Sequence, residues 1–197
     1  MNLTDERICH ELSSQGWSII DDFFSPTTLA QLTLDCQRGV SFRDLHQAGV
    51  GRGSQQAIEV TIRGDQIQWL EAGMTASTDS YLESMTRLRL MLNQKLFLGL
   101  ESNENHVAKY PPGAFYQRHL DRFRDNDSRT VSSVFYMNPD WQPGHGGELR
   151  LHLDGLKHDI SPLSNRLVLF ISADIWHEVL PTHRIRWSLT GWFKRRQ

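Results

Sequence analysis

At 197 residues the chain is long enough to bury a sizeable core and is expected to form one domain, 1–197. A net charge of −2 gives no polyanion-binding signal, so no nucleic-acid partner is expected, and no apolar run reaches the ~18 residues of a membrane span. Cys9 and Cys36 form neither a metal-ligand pattern nor a disulfide framework; with no apolar leader after Met1, they point to buried free thiols in a reducing cytoplasm.

Thr4 can cap a first helix running to about Ser14, with Leu3, Ile8 and Leu12 on one face and Gly16 as its stop. Residues 16–24 alternate as a strand. Ser25-Pro26 opens a second helix carrying Leu29, Leu32 and Cys36, and Gly39 ends it. Residues 46–58 include three glycines and few apolar anchors, which reads as a loop, either a surface connection or a lid. After Ile62-Arg-Gly-Asp65, Ile67 and Trp69 alternate. Tyr81, Leu82, Met85, Leu88, Leu92 and Leu96 then take helical spacing from Thr78 to about Leu98.

Beyond residue 101 the period becomes two. Strands are expected at 106–110, 130–137, 148–153, 158–161, 166–171, 177–180 and 187–193, with turns at Pro111-Pro112-Gly113, Asn138-Pro139, 144–147 and Asp154-Gly155. Helices first and about seven short strands after them predict an α+β fold. Its core is a jelly-roll of two antiparallel sheets (about 101–193), with helical support (about 1–100) on one sheet. The basic tail 194–197 reads as a solvated end.

Nine histidines occur, two of them in H-x-D pairs. In His152-Leu-Asp154 the flanking leucines 149, 151 and 153 take the inward face, which leaves the pair at a solvent-facing strand end. His119-Leu-Asp121 follows an aromatic-rich stretch; on a strand its two side chains would share one side. Alone, the pair does not distinguish a metal site from ordinary polar residues. His177 would complete two histidines and one carboxylate, the usual non-haem Fe(II) set with open positions. Arg186 opens the last strand nine residues later, with Thr190 on the same face. Neighbouring antiparallel strands could place His177 and Arg186 in one pocket. An Arg projecting inward needs a carboxylate partner, although a surface position beside Arg184 is also open.

From about Ile58 to Phe193 the chain resembles the Fe(II)- and 2-oxoglutarate-dependent prolyl hydroxylases, most of all their oxygen-sensing branch that hydroxylates hypoxia-inducible factor. The shared stretches are Ile62-Arg-Gly-Asp65 with Trp69, Tyr110-Pro111, His119-x-Asp121, 129–136, Asn138-x-Asp-Trp141, Gly146-Gly147-x-Leu-Arg150, His177-Glu-Val179 and Arg186-x-x-x-Thr190-x-Trp192. The resemblance implies a double-stranded β-helix and a bacterial member of the family. It implies Fe(II) on His119, Asp121 and His177, and 2-oxoglutarate with its far carboxylate on Arg186 beside Tyr136 and Thr190. Tyr110, Val134, Leu149 and Val179 would line the cosubstrate pocket. Arg129, Trp192, Arg63 and Asp65, with the 49–61 loop, would meet the substrate. Two departures bear on substrate identity: His106 stands where the animal enzymes carry an apolar residue, and the Trp141-to-Gly146 turn is one residue shorter.

The implied reaction consumes O2 and 2-oxoglutarate, releases succinate and CO2, and hydroxylates a C–H bond, with ascorbate as a stimulant. The expected partner is a protein carrying a target proline, of the translation machinery or another cytosolic protein, and the enzyme is expected to be a monomer. The rival readings are an oxygenase of this fold acting on a free amino acid or other small molecule, a non-catalytic β-roll binding module, and a zinc cupin-type hydrolase.

Overall fold

The computed structural model describes residues 3–38, 45–49, 59, 61–122 and 127–196. Its helices are α1 (Leu3–Gln15), α2 (Pro26–Arg38) and α3 (Ala76–Leu96). Thr75 caps α3: its hydroxyl accepts from the Thr78 amide, and the Thr78 hydroxyl accepts in return from the Thr75 amide. The strands are β1 (Trp17–Ile20), β2 (His46–Gln47), β3 (Gln66–Trp69), β4 (Leu100–Tyr110), β5 (Tyr116–His119), β6 (Arg129–Tyr136), β7 (Leu149–Leu153), β8 (Leu156–Ile160), β9 (Leu167–Ile171), β10 (Trp176–Val179) and β11 (Arg186–Arg195).

All strand pairings are antiparallel. The larger sheet has the order β1-β9-β6-β11-β4-β3-β2 and the smaller one β5-β10-β7-β8. Alternation in the long strands divides the labour. Val107 on β4, Val131 and Phe135 on β6, and Trp187, Leu189 and Phe193 on β11 pack against Ile8, Leu32, Tyr81, Met85 and Leu92 of the helices. The intervening residues Val134, Tyr136, Val168 and Phe170 meet Leu149 and Leu151 of the smaller sheet. Thus the helices cover one face of the larger sheet, and the other face closes over the smaller sheet as a double-stranded β-helix.

Several expectations change. Eight described strands, not seven, follow residue 99, and β1–β3 lie among the helices. Leu3 is 83% exposed rather than part of the α1 face. Residues 46 and 47 pair with β3 instead of forming loop. The rest of that glycine-rich stretch (50–58) and the stop at Gly39 lie outside the described residues. The basic tail is not free: Lys194 reaches Glu104 at 2.8 Å, Arg195 pairs with Asp127, and Arg196 lies 3.3 Å from Glu101.

Candidate active site

β5 and β10 pair so that His119 lies directly opposite His177. Asp121 is not on the strand with His119. The chain bends after β5 and returns the carboxylate to the gap between the two rings. His119 Nε2 lies 3.5 Å from Asp121 Oδ1 and His177 Nε2 lies 3.5 Å from Oδ2, and all three ligand-type atoms fall within 4.8 Å of one another.

Both rings are oriented by their other nitrogen. Nδ1 of His119 donates to the Gln117 carbonyl at 2.7 Å, and Nδ1 of His177 donates to the Ile175 carbonyl at 3.0 Å. A carbonyl can only accept, so each Nδ1 carries a proton and each Nε2 is the ring atom left to face the centre. Burial, together with the neighbouring His119, lowers the His177 pKa to about 4 despite the Asp121 carboxylate. Burial opposes the charge on Asp121 too, but His177, His119 and the Ser132 hydroxyl outweigh it and hold the carboxyl far below its usual range. Ser132 donates to Asp121 Oδ2 at 2.6 Å and exchanges a 2.8 Å bond with Ser172. Two imidazoles that face inward through Nε2, with one carboxylate between them, on one side of a cavity fit Fe(II) with open positions.

The facing wall comes from β11. Arg186, Ser188, Thr190 and Trp192 point away from the helices, with Tyr110 opposite Arg186 and His106 opposite Thr190 on β4. Arg186 is 1% exposed. Its Nε donates to the Gly147 carbonyl at 2.9 Å, and the tyrosine rings 110 and 136 each lie 4.9 Å from the guanidinium carbon. No carboxylate pairs with it among the described residues. Gly147 makes room for this packing: it sits at φ +69°, and a Cβ there would lie 3.0 Å from Arg186 Cδ. The Tyr136 hydroxyl is buried beside the guanidinium, with no hydrogen bond of ordinary geometry among the described residues. An unpaired buried cation beside an unpaired hydroxyl is costly unless an anionic ligand completes it, and the far carboxylate of 2-oxoglutarate has that chemistry.

One cavity collects most of the expected residues. His119, Asp121 and His177 line it with Tyr110, Val134, Leu149, Val179, Arg186 and Thr190, and Arg63, Arg129 and Trp192 border it too. His177 and Arg186 meet across it from different sheets, not from neighbouring strands as the sequence suggested. Asp65 does not line it: fully buried, it holds Arg63 through bonds of 2.8 and 2.6 Å. Arg129 stacks 3.5 Å over the Trp192 ring and binds Glu104 at 2.9 Å. The second H-x-D is structural: His152 bonds Glu178 at 3.0 Å, and Asp154 turns at φ 38°.

Sequence reasoning missed Ser132, Tyr116 and Phe170. The period-2 run through Val134 and Tyr136 would have pointed Ser132 inward. Phe170, whose ring centroid is 4.6 Å from that of His177, carried the same signal. Tyr116 had none, because its contact with His119 depends on an irregularity in the pairing of β5 with β10.

The profile of the 2OG-Fe(II) oxygenase superfamily matches residues 105–194. The chain is 32% identical over 215 residues to human prolyl hydroxylase EGLN3, covering 98% of this chain and 86% of that protein. A Pseudomonas putida prolyl-4-hydroxylase crystal structure superposes with a TM-score of 0.89 at 47% identity, covering 98% of this chain and all of that one. A Trichoplax adhaerens prolyl hydroxylase in complex with a hypoxia-inducible-factor peptide fragment gives 0.82 at 26% identity, covering 97% of this chain and 89% of that one. The chain therefore belongs to the prolyl hydroxylase family of 2OG-Fe(II) oxygenases.

Proposed function

We propose that the chain hydroxylates a prolyl residue in a protein substrate, with His119, Asp121 and His177 holding Fe(II) and Arg186 holding the far carboxylate of 2-oxoglutarate. As an oxygenase of this family it uses Fe(II), 2-oxoglutarate and O2. The observation that carries the residue assignment is the opposition of two incomplete halves. A two-histidine, one-carboxylate set faces, across one cavity, a fully buried arginine with no carboxylate partner among the described residues.

Bound Fe(II) supplies O2 activation coupled to loss of CO2 from 2-oxoglutarate, with succinate and a hydroxylated C–H position as products. The chain's own residues prepare this chemistry. Gln117 and Ile175 carbonyls aim the two Nε2 lone pairs. Ser132 fixes the Asp121 carboxylate. Arg186 and Thr190 line the cavity with positive charge and a hydroxyl for an anion, and Tyr136, which is not among the lining residues, backs the guanidinium. Val134, Leu149, Phe170 and Val179 exclude water around it.

A protein rather than a free amino acid is supported by the names of the relatives, which are prolyl hydroxylases, and by the peptide carried by the Trichoplax enzyme. Trp69 borders the cavity at 41% exposure beside Trp192 and Arg129, which suits a segment that enters from solvent. A target in the translation machinery rests on the family resemblance alone. A cytoplasmic setting is supported by two buried free thiols, and no described helix is long and apolar enough to cross a membrane.

The decisive experiment adds Fe(II) and 2-oxoglutarate anaerobically and looks for the weak visible charge-transfer band of the bound pair. Mass spectrometry of extract peptides then seeks +16 Da on proline. No band would end the cosubstrate assignment, and +16 Da confined to residues other than proline would end the prolyl one.

A further inference from the structure

His119 is the most exposed of the three proposed ligands, with its side chain at 19% against 8% for Asp121 and 6% for His177. An exposed ligand ring needs packing to keep its lone pair on the metal. That packing comes from outside the helix-backed core. Tyr116 stacks on His119 with centroids 3.7 Å apart and planes 19° from parallel. The guanidinium of Arg63 lies 4.4 Å from the centroid of the Tyr116 ring. Arg63 is itself locked by the paired bonds to Asp65, which is fully buried.

The backbone repeats the connection. Residues 61–64 lie along residues 115–117 as an added edge: Gly64 N–H donates to Phe115 O at 2.9 Å and Gln117 N–H donates to Ile62 O at 2.8 Å. The Gln117 side chain also reaches the Thr61 carbonyl at 2.7 Å. Gln117 is the residue whose own carbonyl holds Nδ1 of His119. The 61–65 segment thus reaches His119 twice, through the Arg63–Tyr116 stack and through Gln117.

We propose that Asp65, Arg63 and Tyr116 form a positioning column for the metal site. In it the buried ion pair fixes the guanidinium, the guanidinium and His119 sandwich Tyr116, and the sandwich holds the His119 ring in its ligating orientation. This rests on the reading of His119 as a metal ligand. The column assigns Arg63 and Asp65 a role in metal retention, distinct from the substrate contact that the resemblance implies. A planar guanidinium is required, because a lysine ammonium can pair with Asp65 yet cannot lie flat on the ring.

The test is Mn(II) binding by the whole chain, followed by the electron paramagnetic resonance signal of the free ion, in wild type, Asp121→Ala, Tyr116→Phe, Tyr116→Leu, Arg63→Lys and the Arg63→Lys/Tyr116→Leu double variant. Residues that orient ligands typically change metal affinity about 10- to 100-fold. Tyr116→Leu is expected to weaken Mn(II) roughly 10-fold and Tyr116→Phe less than about 2-fold, because only the ring is used. Arg63→Lys should weaken binding by a smaller factor that disappears in the Tyr116→Leu background, since the arginine acts through the ring. Wild-type affinity in Tyr116→Leu, or an Arg63→Lys effect undiminished in the double variant, would overturn the column. Should Tyr116→Leu not fold, wild-type affinity in Arg63→Lys overturns it equally. Failure of the ligand reading is separate: Asp121→Ala would then bind Mn(II) as wild type does.

Discussion

Replacing Arg186 with methionine removes the guanidinium charge of the cosubstrate wall while keeping a long apolar side chain between Tyr110 and Tyr136. With the guanidinium 1% exposed and held by Gly147, a ligand carboxylate would meet it with almost no competing water. Truncating one partner of a buried, hydrogen-bonded charge pair costs about 2–5 kcal/mol. At ~1.4 kcal/mol per decade, that is a loss of roughly 30-fold to several thousand-fold in 2-oxoglutarate affinity. The near-complete burial places the expectation at 100-fold or more, in round terms. The assay is thermal unfolding of the Mn(II)-loaded protein with increasing 2-oxoglutarate. At a concentration about 100 times the wild-type dissociation constant, binding adds about 2.7 kcal/mol to wild type. For a chain of this size that raises the melting temperature by about 5–10 °C. A variant weakened 100-fold keeps only about 0.4 kcal/mol, a shift near 1 °C. An Arg186→Met protein that keeps the full wild-type shift would refute the role drawn from the burial of Arg186 and from its having no carboxylate partner among the described residues.

Five variants give further expected outcomes. Asp121→Ala should abolish Mn(II) binding, and Ser132→Ala should weaken it roughly 10-fold by freeing the carboxylate, both read by metal titration. Tyr136→Phe should act with opposite signs: it removes an unpaired buried hydroxyl and so raises or preserves the metal-free melting temperature, while 2-oxoglutarate affinity falls about 5-fold or more. Gly147→Ala should cost about 1–3 kcal/mol in urea unfolding and weaken 2-oxoglutarate, because its φ of +69° resists a side chain and the new Cβ presses on Arg186. Burial, with Arg63 second, lowers the His106 pKa to about 4. The unfolded chain therefore binds the extra proton between about pH 6.5 and 4, so the stability held above that window is lost as pH falls through it. Between pH 7 and 5 this amounts to about 2 kcal/mol, and His106→Leu should remove that share of the acid sensitivity in urea unfolding.

Much of the architecture was already legible along the chain. The switch from helical spacing over about 78–98 to alternation after residue 101 specified helices on one side of a β-roll. Within each strand the same alternation marks inward positions, but it was the family resemblance that implied Tyr110, Val134, Leu149, Val179 and Thr190 as pocket residues, and all five line the cavity. His119, Asp121, His177 and Arg186 were identifiable as residue types suited to iron and a carboxylate. In the fold, His119 and His177 face each other across one strand pair.

The order of residues thus specified local features: period, turn chemistry and the inventory of groups able to do the chemistry. Tertiary structure decided the relations between groups. A two-residue spacing cannot reveal that the chain bends between His119 and Asp121, nor that His177 and Arg186 belong to opposite sheets. Sequence also left open whether Arg186 met a protein carboxylate; only closure of the sheets shows a buried cation without one among the described residues. The stack from Arg63 through Tyr116 to His119 lay further out of reach, because it joins segments more than fifty residues apart through an edge bridge and an irregular register. Periodicity governs which way a side chain points. Which charge or ring it meets depends on how the sheets close, and that is set by packing of the whole core rather than by any short stretch.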